Sequence, residues 1–192
     1  YDQNVVSYLE LLRLSYTGCN PRGMILARDK ALSKELLQYH RIPVPDFAVA
    51  YRRRKFKLPK RMAYPVIVKS LTQEASIGIS QASVVEDEKK MLERIQFIHE
   101  SINTEALVEQ YIEGRELYVS VMGNHRLDCF PIRELVFREV PPDEPKIATY
   151  KAKWDEEYRK RWGLENRDAA DLDPAVVATI QKICKRIYHL LT

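Results

Sequence analysis

The chain has 192 residues, which suits one domain or two small ones and is enough to bury a core. Hydrophobic residues make up 45% and charged residues 30%, a globular balance rather than that of a disordered or fibrous chain, and no apolar run approaches the roughly 20 residues of a membrane span. The net charge of +4, from 31 basic and 27 acidic residues, fits the handling of small anions and does not demand nucleic acid.

The start, Tyr1-Asp2-Gln3-Asn4, is polar and is no signal peptide. It lacks an initiator Met, so a fragment or a processed chain is expected. Cys19, Cys129 and Cys184 are odd in number and widely spaced. That argues against a disulfide framework or a CxxC metal site and for a reducing cytoplasm. His40, His99, His125 and His189 show no HxxxH pairing and read as ordinary surface or core histidines.

In chain order, residues 4–14 carry a helical apolar stripe through Val5, Val6, Leu9 and Leu12. Asn20-Pro21 reads as an N-cap with Pro at the first helical position, and helices are predicted over 22–28 and 30–39. Ile42-Pro43-Val44-Pro45 stops the second. Residues 47–51 read as a strand, 65–68 as a buried strand, and 77–85 as its hairpin partner. A helix is predicted over 86–101, then strands over 106–111, 116–122 and 126–137, with Gly123-Asn124 turning between the last two. Residues 141–145 form a loop. The stretch 154–162, dense in charge and aromatic residues, is open between helix and loop. Pro174 begins a last helix. The pattern argues for an α+β fold with helices packed on mostly antiparallel sheets.

Three segments suit a bound nucleotide, which needs cations or backbone amides for phosphates and a flat apolar slot for its base. Lys69 closes the β-branched run Pro65-Val66-Ile67-Val68, although a strand-end lysine can equally point to solvent. The bend Gln73-Glu74-Ala75-Ser76-Ile77-Gly78 could turn backbone N–H groups onto a phosphate, or be a plain hairpin turn. In the string from Ala106 to Leu117, backbone near Gln110 and Ile112 suits adenine, and Glu116 suits ribose hydroxyls. The basic cluster Arg52-Arg53-Arg54-Lys55-Phe56-Lys57 could meet a phosphate backbone or an acidic protein. With only Tyr51 and Phe56 as aromatics, it reads first as a solvated loop.

The order of these pieces resembles the ATP-grasp ligases. It runs Asp29-Lys30, Ile42-Pro43-Val44-Pro45, Pro65 to Lys69, the small-residue bend, then Val108-Glu109-Gln110-Tyr111-Ile112-Glu113-Gly114-Arg115-Glu116. Tyr16-Thr17-Gly18 and Thr149-Tyr150-Lys151-Ala152-Lys153-Trp154 are similar to the D-alanine–D-alanine ligase branch in particular. The resemblance implies an ATP-grasp fold. Residues 1–25 would be a remnant of a substrate domain and linker helix, 26–104 a small lid subdomain, and 105–192 the start of a C-terminal subdomain. It also implies that Lys30 and Lys69 meet nucleotide phosphates and that Ser76 sits in a mobile loop over them. Glu109, Gln110, Tyr111 and Ile112 would line the adenine pocket, Glu116 would hold the ribose, and Lys153 would reach the transferred phosphate as the catalytic residue. The implied reaction activates a carboxylate as an acyl phosphate, which an amine then displaces. The implied cofactors are ATP and Mg²⁺, and the substrates are small molecules, an amino acid or other carboxylate and an amine. Neither membrane nor nucleic acid is expected, and a homodimer is compatible with the resemblance.

Glu74-Ala75-Ser76 stands where the D-alanine ligases resemble one another in Gly-Ser-Ser, and Trp154 where they usually carry Tyr. Both positions lie near the amino-acid substrate in that family, so a substrate other than two D-alanines is expected. The family's later Asp and Glu-x-Asn metal ligands are not found, since Glu165-Asn166 is adjacent. Those ligands are expected beyond residue 192, and the chain by itself is expected not to turn over. The alternative reading is a non-catalytic nucleotide-binding or interaction module on the same fold.

Overall fold

Two caps set the first helices. In the computed structural model, which describes residues 2–192, α1 (Asp2–Leu11) is followed by α2 (Pro21–Arg28) and α3 (Lys30–Tyr39). The Asn20 side chain accepts the Gly23 N–H at 2.8 Å. The Asp29 carboxylate accepts the Ala31 and Leu32 N–H groups at 3.0 Å each. Each cap satisfies donors that an isolated helix leaves open.

The first sheet holds β1 (Phe47–Ala50), β2 (Val66–Ser70), β3 (Val84–Val85) and β4 (Ala106–Gln110) in the order β1-β4-β2-β3. All of its pairs are antiparallel. Alternation along the strands divides its residues between two faces. Val66, Val68, Ala106 and Val108 pack with Met91, Ile95 and Ile98 of α4 (Glu88–Phe97) and the turn that follows it. Leu107 and Phe47 pack with Ala31 of α3 on the other face. Register places Ile67 and Phe47 opposite Glu109, and Lys69 opposite Leu107. Lys69 and Glu109 are therefore diagonal neighbours on the α3 face.

The remaining strands form two further sheets. β5 (Glu116–Tyr118), β8 (Arg133–Phe137) and β9 (Leu164–Asp168) pair antiparallel in the order β5-β8-β9. β6 (Val121–Gly123) and β7 (Leu127–Cys129) make a separate hairpin. Gly123 has φ +131, and a Cβ there would collide with the Arg126 carbonyl oxygen, so the turn demands glycine. The short helices α5 (Tyr150–Trp154) and α6 (Glu156–Arg161) come before β9, and α7 (Pro174–Leu191) closes the chain. α7 reaches back to the first helices, where Arg22 donates to Leu190 O at 3.0 Å and Asn20 donates to Thr192 O at 2.8 Å. It also meets the hairpin, where the Tyr188 hydroxyl donates to Gly123 O at 2.7 Å.

Several sequence expectations are corrected. The strand expected over 77–85 shrinks to Val84–Val85, because Ala75, Ser76 and Gly78 all have positive φ and Gln81–Ser83 forms a 3-10 turn. The strands expected over 116–122 and 126–137 each divide in two. The second breaks at Pro131, which has no N–H for a ladder. The helix expected over 86–101 begins at Glu88 and passes at Ile98 into a π-type turn that ends at left-handed Asn103. The open stretch 154–162 contains α6, capped by the Asp155 carboxylate on the Tyr158 N–H at 2.9 Å. Strand β9 was not foreseen.

Candidate nucleotide site

The α3 face of the first sheet gathers charge. Glu109 is only 5% exposed and meets two ammonium groups from different elements. Lys69 of β2 donates to its Oε1. Lys34 of α3 lies 2.9 Å from Oε2 as an ion pair. Burial pushes the Glu109 carboxyl up, yet the Lys69 and Lys34 charges and hydrogen bonds together outweigh it and hold it below its ordinary value. Lys30, one turn before Lys34, donates to Gln73 O at 2.6 Å and to Leu71 O at 3.3 Å. Burial first, then the Lys69 charge, lowers the Lys30 pKa. An anion bound between these lysines would relieve that repulsion.

A loop borders this cluster. Residues 71–80 leave β2, turn through left-handed Ala75 (φ 53) and Ser76 (φ 60), and are bonded to the segment holding Lys153. The Ser76 hydroxyl donates to Ala148 O at 2.7 Å, and the Tyr150 N–H donates to Ile79 O at 3.0 Å. The Trp154 indole N–H donates to Ala75 O at 3.3 Å, and Gln81 beyond the loop donates to the Tyr158 hydroxyl at 3.1 Å. Lys153 lies exposed in α5, in the middle of this seam.

The other nominated residues sit apart. The Gln110 N–H donates to Asp46 O at 2.8 Å and the Tyr111 N–H to Pro65 O at 3.2 Å, so both are engaged by the protein itself. The Ile112 side chain is open to solvent. Tyr111 and Glu116 line a cleft of about 930 Å³ with Glu113, Arg115 and Lys146, and none of Lys30, Lys69, Ser76 or Glu109 borders it. Burial, then the Glu113 and Glu116 charges, raises the Tyr111 phenol. Glu116 accepts the Tyr118 hydroxyl. Behind it, Arg115 grips Glu134 of β8 through two bonds at 2.7 and 2.8 Å, and also Asp171. Its hydrogen bonds hold the Glu134 carboxyl below the ordinary range. The structure thus brings Lys30, Lys69 and Glu109 together, sets Ser76 and Lys153 along one seam, and leaves Tyr111 and Glu116 in an adjoining cleft.

Lys34 was missed by the sequence reading. Its signal was its position four residues after Lys30, which puts both on one helix face. Metal is a different matter. Among the described residues no group of three His, Cys, Asp or Glu side chains could hold an ion. Glu109 already serves two lysines. These residues do not fit Mg²⁺, which needs oxygen ligands. Among the described residues, no helix is long and apolar enough to cross a membrane.

The whole arrangement matches solved ATP-grasp structures. A D-alanine–D-alanine ligase from Coxiella burnetii superposes with a TM-score of 0.73 at 21% identity, over 99% of this chain and 47% of that one. A Bacillus anthracis D-alanine–D-alanine ligase complexed with ATP gives 0.71 at 18% identity, over 97% and 54%. The fold is therefore the ATP-grasp fold, seen in part. Residues 36–192 match the family described as D-ala D-ala ligase C-terminus, and the chain belongs to that family. Among its relatives, a D-alanine–D-alanine ligase of Pelotomaculum thermopropionicum is 31% identical over 162 residues, covering 80% of this chain and 48% of that one. One from Desulfotalea psychrophila is 33% identical over 156 residues, covering 80% and 46%. An uncharacterized protein, y4sG, of Sinorhizobium fredii is 30% identical over 151 residues, covering 79% and 43%. The chain spans about half the length of these relatives.

Proposed function

We propose that a protein containing this chain is an ATP-dependent ligase that joins a carboxylate to an amine through an acyl phosphate, and that this chain supplies its nucleotide-binding part. The observation that carries the reading is the cluster of Lys69 and Lys34 on the buried Glu109 carboxylate, with Lys30 held close by on Gln73 O, beside a loop bonded to the Lys153 segment. Family membership and the names of the relatives support it. Lys30 and Lys69 bind the phosphates by charge-assisted hydrogen bonds. Ser76 and its neighbours cover them. Glu109, Gln110, Tyr111 and Ile112 flank the adenine, and Glu116 takes the ribose hydroxyls. Lys153 neutralises charge on the phosphoryl group in transfer. In this scheme residues 1–25 belong to a substrate-side unit and linker, 26–104 to the lid, and 105–192 to the second subdomain, with β4 completing the sheet of the lid. The cytoplasm is the proposed setting, and the substrates are small molecules.

The deciding measurement is ATP calorimetry on Lys69→Met. A charge-assisted bond contributes about 1.5–3 kcal/mol, so affinity should fall at least about tenfold with the melting temperature little changed. Unchanged affinity would mean that the site lies elsewhere. The non-catalytic reading shares this binding and draws on the lack of a carboxylate cluster among the described residues. It differs in predicting no substrate-dependent ADP release.

A further inference from the structure

We propose that Lys34 is a positioning residue of the nucleotide site: it keeps the Glu109 carboxylate compensated, so that Lys69 can leave that carboxylate for a phosphate oxygen. The inference rests on the nucleotide reading above and adds to it a residue that the sequence did not nominate.

Glu109 holds two cations that are not equivalent. The Lys34 side chain is 16% exposed, and its ammonium also lies 5.7 Å from the centroid of the Phe47 ring. Phe47 stands opposite Glu109 across the β1–β4 ladder, so Lys34 is fixed from two sides. The Lys69 side chain is more open, at 25%, and is held by one carboxylate oxygen. An incoming phosphate therefore competes for Lys69 and leaves Lys34 where it is. Without Lys34 that exchange would strand a buried carboxylate with no partner, a costly state that the group avoids by taking up a proton. The charged groups around it are Lys69 from β2 and Lys30 and Lys34 from α3, with Asp29 and Glu74 acting on Lys30. β1 presents no titratable side chain.

The test is ATP titration calorimetry on the full chain in buffers of different ionisation enthalpy, from pH 5 to 8. This counts protons exchanged on binding, and each variant is read as its difference from wild type. Lys34→Met should take up extra protons, toward one per ATP, and its affinity relative to wild type should fall by up to about tenfold per pH unit as pH rises. Lys34→Arg should restore the wild-type count. Adding Glu109→Gln to Lys34→Met should abolish the extra uptake, which a merely structural lysine would not predict. If Lys34→Met does not fold, Lys34→Gln carries the same measurement. Wild-type affinity and proton count in the neutral variant would overturn the role of Lys34 while leaving the ATP site standing. Extra uptake that persists in the double variant would overturn it as well. A wild-type chain that binds no ATP would overturn the nucleotide reading and this inference together.

Discussion

Removing the Ser76 hydroxyl and the Trp154 indole N–H should open the loop over 71–80 without unfolding the sheet beneath it. The two bonds span 2.7 and 3.3 Å and differ in setting. Ser76 is half-buried, so its bond to Ala148 O should contribute near the middle of the usual range, about 1 kcal/mol. Trp154 is 63% exposed, and its longer bond belongs at the low end, about 0.5 kcal/mol. Ser76→Ala with Trp154→Phe should therefore shift the opening equilibrium by about 1.5 kcal/mol, roughly tenfold. Hydrogen exchange reads this directly. The Ile77 and Ile79 amides donate within the loop, to Glu74 O at 3.0 Å and Ser76 O at 2.9 Å, and are released when it opens. A peptide covering 73–81 should exchange about tenfold faster in the double variant, while β2 and β4 stay protected. Unchanged exchange in that peptide would refute the claim that these bonds hold the loop to residues 148–154.

Gly123→Ala should destabilise the chain by at least about 2 kcal/mol, since its Cβ would meet the Arg126 carbonyl in a left-handed backbone; an unmoved urea midpoint would count against the β6–β7 turn. Glu109 has a folded pKa below its ordinary 4.5, so the stability it contributes is present above that value and is lost as pH falls through the folded pKa. Glu109→Gln should flatten the stability profile below about pH 4.5, which acid titration followed by circular dichroism measures, and a slope equal to that of wild type would be the contrary result. A protein containing this chain and its substrate-binding partner regions should release phosphate from ATP faster with another amino acid or carboxylate than with D-alanine alone, because of Ala75 and Trp154. Best turnover with D-alanine across a mixed panel would refute that.

Local signals in the sequence carried the elements whose ends are chemically marked. Asp29 and Pro43 bracket α3, whose bounds at Lys30 and Tyr39 agree with the prediction. Pro21 likewise marks α2, and Pro174 marks α7. β9 was illegible because only Leu164 of its five residues is buried. An edge strand of charged residues shows no alternation, and it exists because β8 offers it a partner. The bend after β2 was legible as a loop, but the left-handed pair Ala75 and Ser76 stops the ladder earlier than alternation suggested. In the candidate site, the order of short motifs singled out Lys30, Lys69 and Glu109, which the structure places near one another. Lys34 was not, because its meeting with Glu109 depends on how α3 docks on β4. The separation of Tyr111 and Glu116 from the lysines depends likewise on how the two sheets lean together.

The return of α7 to the first helices has a consequence for how the chain reaches its fold. The Asn20–Thr192 bond closes a loop of 172 residues. Closing such a loop costs on the order of 2–3 kcal/mol more than closing one of ten residues. The contacts of α2 and α3 with α7 are thus among the most non-local in the molecule, and formation of contacts of this kind is slow. During synthesis the first sheet and its α4 layer can form from the nascent chain, since their contacts end by Gln110. The outer sides of α2 and α3 must wait until the eighteen-residue α7 has emerged. Order of synthesis and order of assembly therefore part company here: α2 and α3 are made before the first sheet and are covered after it.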